Sequence, residues 1–79
     1  MITKKSTIRG ELRNWREVHG TDISYFTGEL HGDNQRLKKD GEMHITGTVM
    51  TKLDRGDFWL VKTAGPSAYM LYKDKEYKP

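Results

Sequence analysis

Glu42-Met43-His44-Ile45-Thr46-Gly47-Thr48-Val49-Met50-Thr51-Lys52-Leu53, then Asp54-Arg55-Gly56-Asp57, then Phe58-Trp59-Leu60-Val61-Lys62 is the stretch on which the reading of the fold turns. In its first part the large side chains Met43, Ile45, Val49 and Leu53 fall on every second residue, with His44, Thr46, Thr48, Met50 and Lys52 on the other face, the period of a half-buried strand. Asp54-Arg55-Gly56-Asp57 supplies turn chemistry, because Gly56 adopts positive φ without a Cβ clash. Phe58 to Val61 resumes as an aromatic and β-branched run, so the stretch reads as a β-hairpin. On this pattern Met43, Ile45, Val49 and Leu53 are expected in the core, and Thr46, Thr48 and Trp59 are expected to face outward.

Working outward, the segment before it, His31 to Gly41, has Leu37 as its one large apolar side chain and carries turn signals at Gly32-Asp33-Asn34 and Asp40-Gly41. A loop of that length in so small a chain is more often functional or mobile than a plain connector. Ile23 to Leu30 is rich in β-branched and aromatic residues and reads as a strand, with Gly28 marking a bulge or a close approach of another backbone. Thr7 to Val18 supports two readings. Ile8, Leu12, Trp15 and His19 lie at helical spacing, with Thr7 as a cap and Gly20 as a stop, which would give an α+β fold with a helix over 7–19. Gly10 and Asn14 disfavour that helix, and the β-branched and aromatic residues favour a bulged strand. On the far side, Thr63-Ala64-Gly65-Pro66-Ser67 is a second turn and Ala68 to Tyr72 a fifth strand. The expected fold is all-β: an antiparallel five-stranded meander forming a small barrel or curved sheet, in one domain over 1–79 with frayed tails at 1–6 and 73–79.

A chain of 79 residues buries only about 60 to 65% of the surface its unfolded form exposes. With 34% hydrophobic residues, its two Trp, four Tyr and two Phe must supply much of the buried area, and a homodimer is the usual remedy for so thin a core. The absence of cysteine rules out disulfides, thiolate metal sites and a cysteine nucleophile. No apolar run reaches the roughly 18 residues of a membrane span, and Met1 to Ser6 lacks the apolar core of a signal peptide, so a cytoplasmic location is expected. A net charge of +3 points modestly to an anionic partner.

Catalytic groups are sparse. His19, His31 and His44 lack the spacing of zinc ligands, no nucleophile elbow or phosphate loop is present, and Asp33, Asp40 and Glu42 read as solvated loop carboxylates. Arg55-Gly56-Asp57 is explained by its place at a hairpin tip. The chain is therefore expected to be neither an enzyme nor a metalloprotein, and to need no cofactor. For binding there is more material. Arg36, Lys38 and Lys39 crowd together beside Asn34 and Gln35, while Arg9, Arg13 and Arg16 form a second basic row, a donor set matched to phosphate. Trp15, Tyr25, Trp59 and Tyr69 offer ring faces on which a base could stack. Core packing and a solvated basic face explain the same residues without a ligand.

The succession Gly28-Glu29-Leu30-His31-Gly32-Asp33, Arg36-Leu37, Asp40-Gly41, Ile45-Thr46, Val49, Thr63 and Ser67-Ala68-Tyr69-Met70-Leu71 resembles a pattern of small phage and prophage proteins. In these a Gly-x-Val-x-Gly strand precedes Arg-Phe, Asp-Gly, an Ile-x-Thr-Ser-x-x-Val strand and a closing Thr, Ser-x-Tyr-x-Leu strand. Here Leu37 replaces the aromatic and Gly47 stands where a Ser would be. The resemblance extends to phage counter-defence proteins, among them anti-Thoeris sponges, which sequester a cyclic ADP-ribose-type immune signal without cleaving it. It implies a protein of an infected or lysogenic bacterium that inhibits a defence system by holding a nucleotide second messenger, with Arg36, Thr46, Thr63 and Ser67 lining the site and Asp40 shaping the loop. Added to the basic and aromatic residues, the expected ligand-binding set is Arg36, Lys38, Lys39, Thr46, Trp59, Thr63, Ser67 and Tyr69. Two alternatives stand beside it: a small β-barrel that binds nucleic acid, and an inhibitor that docks on a host protein by β-strand addition.

Overall fold

The computed structural model describes residues 7–79, so the arm expected over 1–6 lies outside them. Six strands follow one another: β1 (Thr7–His19), β2 (Ser24–His31), β3 (Glu42–Ile45), β4 (Val49–Asp54), β5 (Phe58–Thr63) and β6 (Ser67–Tyr72), with a 3-10 turn at Lys73–Lys75. They form one sheet in the order β3-β2-β1-β6-β5-β4. Two three-stranded antiparallel meanders are joined by a parallel pairing of β1 with β6. The fold is all-β as expected, but the sheet is mixed and has six strands where an antiparallel five-stranded meander was expected. Nor is it a closed barrel, because β3 and β4 do not pair with each other.

The sixth strand arises because the long run from Glu42 to Leu53 is divided. Its first part pairs with β2 and its second with β5, at opposite edges of the sheet. The chain crosses between the edges through Thr46-Gly47-Thr48. At that corner the Thr46 amide donates to Phe26 O (2.9 Å), and the Ala64 amide to Thr48 O (2.9 Å). In a flat sheet of six strands the outer two would lie about 24 Å apart, whereas the four steps from Ile45 to Val49 reach about 14 Å. The sheet must therefore curl until its edges approach at this corner. The Asp54 to Phe58 turn forms as expected, with Gly56 at φ +85° and its amide held by the Asp54 carboxylate (2.9 Å).

β1 is a strand along its whole length, which removes the helix over 7–19. Its register against β2 shifts between Arg13 and Arg16, and Asn14 in that bulge has φ +49°. Gly28 lies opposite the bulge, where a Cβ would stand 3.0 Å from both Arg13 O and Trp15 Cα. This is the close backbone approach expected of that glycine. The bulge also aims Trp15 into the core, where its ring meets Phe26 edge-on at 5.6 Å and its Nε1 donates to Tyr72 O (2.8 Å). Leu12, Trp15, Phe26, Leu30, Val61, Tyr69 and Leu71 make up that core, with Val49 and Trp59 packed against it. The C-terminal stretch expected to fray is tied down: Trp15 bridges to Glu76, and the Tyr77 amide donates to Trp15 O (2.9 Å).

Candidate functional site

The alternation in β3 runs in the opposite phase to expectation. Met43 and Ile45 are 64% and 65% exposed, whereas His44 and Thr46 are 7% and 5% exposed. Hydrogen bonding explains the inversion. His44 Nε2 meets the Tyr69 hydroxyl at 2.8 Å, and Thr46 Oγ1 accepts from the Phe26 amide (2.9 Å) and donates to Gly47 O (2.9 Å). Met43 and Ile45 have no such tie and are left on the outer face. Of the other two residues expected in the core, Val49 and Leu53 are half-buried.

The β3 backbone is equally one-sided. The Thr46 amide bonds Phe26 O, and the register pairs Ile45 with Thr27 and His44 with Gly28. Hydrogen-bonded and non-hydrogen-bonded pairs alternate along an antiparallel ladder. The amides and carbonyls of Met43 and Ile45 therefore point away from β2, along the open edge. One of them is met from outside, where Lys38 Nζ donates to Met43 O (2.7 Å). Next to Met43 a groove of about 350 Å³ is lined by Asn14, Arg16, Thr27, Glu29, Tyr77 and Lys78. Asn14 Nδ2 donates to the Glu29 carboxylate (3.0 Å), and the Arg16 guanidinium lies 5.5 Å from the Tyr77 ring centre.

Behind the edge lies a buried polar cluster. The Asp33 carboxylate accepts from Arg9 Nε (3.1 Å) and Nη2 (3.3 Å), and from the amides of Gln35 (2.9 Å), Leu37 and Lys38 (both 3.1 Å). The Arg9 hydrogen bonds hold this carboxyl well below the usual range, and its amide bonds act in the same sense. The same pairing raises Arg9. Burial, with the charges of Lys38 and Arg9 adding to it, pushes the His44 imidazole down to about 4, so the ring is neutral at pH 7. His44 Nδ1 is buried and has no hydrogen-bond partner. The loop from Gly32 to Gly41 is thus organised around Asp33, further fixed by Gly32 N to Asp40 Oδ1 (2.9 Å) and Asn34 Nδ2 to Ile8 O (2.8 Å).

The eight residues expected to bind a ligand are dispersed. Arg36 and Lys39 are exposed on the loop, and Lys38 reaches the β3 edge. Thr46, Thr63 and Tyr69 are buried in structural bonds, Thr63 Oγ1 donating to Ser67 O (2.8 Å). Trp59 is half-buried, with Lys52 Nζ 4.2 Å and Lys73 Nζ 4.5 Å from its ring centre, so cations already occupy the ring that a base would need. Arg13 is paired with Glu11 (3.1 Å). Sequence reasoning missed Arg9, Asp33 and His44 as a unit. The available signal was Asp33 two residues before Gln35, a spacing at which an aspartate caps its own turn.

Among the described residues no group of three or more His, Cys, Asp or Glu could hold a metal ion, and no helix is long and apolar enough to cross a membrane. The fold and the edge together define a small all-β domain with an open, curled, mixed sheet and an edge strand, β3, that turns Met43 and Ile45 to solvent. Comparison with protein-family models, curated proteins and solved structures gives no match.

Proposed function

We propose that this chain is a non-catalytic binding protein that engages a protein partner by β-strand addition at β3. The observation that carries this reading is the combination, on one edge strand, of outward backbone groups at Met43 and Ile45 with large exposed side chains at the same positions. An extended segment laid along β3 gains main-chain hydrogen bonds for affinity and apolar contacts for specificity. The resemblance to phage counter-defence proteins makes a host defence protein the partner class, and inhibition by occupancy the mechanism. Capture from bacterial lysate tests it when wild type is compared with the Met43→Lys/Ile45→Lys variant. The expected result is a polypeptide held by wild type and lost from the variant. No capture, or equal capture by both, overturns the reading.

A second reading, sequestration of an anionic nucleotide, draws on a different place. Lys52 and Lys73 both lie against Trp59, and only Lys73 is paired to a carboxylate, Asp54 at 2.8 Å. An anion seated there would exchange cation–π contacts for phosphate contacts and uncover the ring for stacking. Calorimetric titration with cyclic nucleotides and cyclic ADP-ribose isomers should give heat that Lys52→Ala abolishes. No heat from any of them removes this reading.

A further inference from the structure

The geometry points to a second copy of this chain as the resting occupant of β3, paired antiparallel about a two-fold axis that passes between the His44 residues of the two copies. This inference rests on β3 being a docking edge and names what covers it before a partner arrives. Within β3, Met43 and Ile45 are the residues that present backbone groups outward. In the register that sets Met43 opposite Ile45 of the second copy, and Ile45 opposite its Met43, both pairs are of the hydrogen-bonded kind and four N–H to O=C bonds form. Shifting the register by one residue would set these outward groups opposite residues whose own amides and carbonyls are directed to β2, so the edge is self-complementary in this register. The closed two-fold uses the same patch on both chains and leaves no further copy to add.

Side chains follow the backbone. Opposed residues share a face, so Met43 of one copy lies against Ile45 of the other on the outer face, and two side chains that are 64% and 65% exposed are covered together. On the inner face the two His44 rings become direct neighbours. In the single chain each His44 is 7% exposed and has a buried Nδ1 without a hydrogen-bond partner. Lys38 does not block the seam, because the Met43 carbonyl has a second lone pair. The residue before it, Leu37, is among the most exposed large apolar side chains and extends the apolar surface beside this edge. A thin-cored chain is the kind that gains most from such burial.

Sedimentation velocity over a wide concentration range tests association, and engineered cysteines test register. The chain has none of its own, and a hydrogen-bonded cross-strand pair has a Cα separation of about 5.5 Å, within disulfide range. The Met43→Cys/Ile45→Cys variant should give a covalent dimer on mild oxidation. Wild type should sediment as a dimer, and Met43→Lys/Ile45→Lys as a monomer with an unchanged near-ultraviolet circular dichroism spectrum. A monomer at every concentration overturns the inference, as does a dimer in which the paired cysteines fail to cross-link. Either result leaves lysate capture to decide separately whether the edge takes a foreign strand.

Discussion

β3 and β4 are successive in the chain, three residues apart, and both are edges of the same sheet, but they are finished differently. β4 exposes Met50, Thr51, Lys52 and Asp54, so its one large apolar side chain turned to solvent, Met50 at 66%, stands on a strand that also carries the exposed charges of Lys52 and Asp54. That is the usual way to discourage a sheet edge from pairing with another chain. β3 differs in having no exposed charge between its apolar residues: His44 and Thr46 are turned inward, and Met43 and Ile45 are turned out. Under the proposed function, this edge, with its hydrogen-bonding side chains inside and two apolar ones outside, is the surface offered for contact.

The comparison can be broken most severely at Phe26, which underlies both edges. Its backbone is held by Thr46, and its ring lies 5.8 Å from the Lys52 ammonium. Phe26→Ala should cost about 3–5 kcal/mol in denaturant unfolding and loosen β3 and β4 together. Thr46→Val separates them. It removes the hydroxyl that caps the buried Phe26 amide and should cost about 1–3 kcal/mol, whereas Thr51→Val, exposed on β4, should stay within about 0.5 kcal/mol.

Acid should distinguish the edges as well. His44, facing Tyr69, Arg9, Asp33 and Lys38, has a folded value of about 4 against an ordinary 6.5. The unfolded chain therefore binds the extra proton first, and stability falls as pH drops from about 6.5 through 4. His44→Gln should flatten that fall. The carboxylates Asp33 and Asp54, both held low, add their losses only as pH drops below 3.8. A melting-temperature series at fixed ionic strength reads both windows. Lys52→Ala should cost about 0.5–1 kcal/mol from its contact with the Trp59 ring.

What the sequence made legible follows the range of the interactions involved. The all-β class, the Asp54 to Phe58 hairpin and the close approach at Gly28 rest on local patterns, and each is present. The division of Glu42 to Leu53 was not readable, because the run alternates without a break and its two halves find different neighbours through Phe26 and Thr63. The inverted phase of β3 was hidden for a related reason. Met and Ile outrank His and Thr in burial preference, and the preference is overturned only by hydrogen bonds to Tyr69 and Phe26, residues about twenty or more positions away. The dispersal of Arg36, Thr46, Trp59 and Tyr69 has the same origin, since basic and aromatic residues close in a list need not share a face.

The central proposal is that β3, and not β4, serves as the interface. Amide hydrogen exchange, residue by residue, at low and high protein concentration tests it most directly. The account predicts that the amides of Met43 and Ile45 gain protection as concentration rises while those of Val49 to Asp54 do not change. Concentration-independent exchange at Met43 and Ile45, or protection that appears along β4 instead, would contradict it.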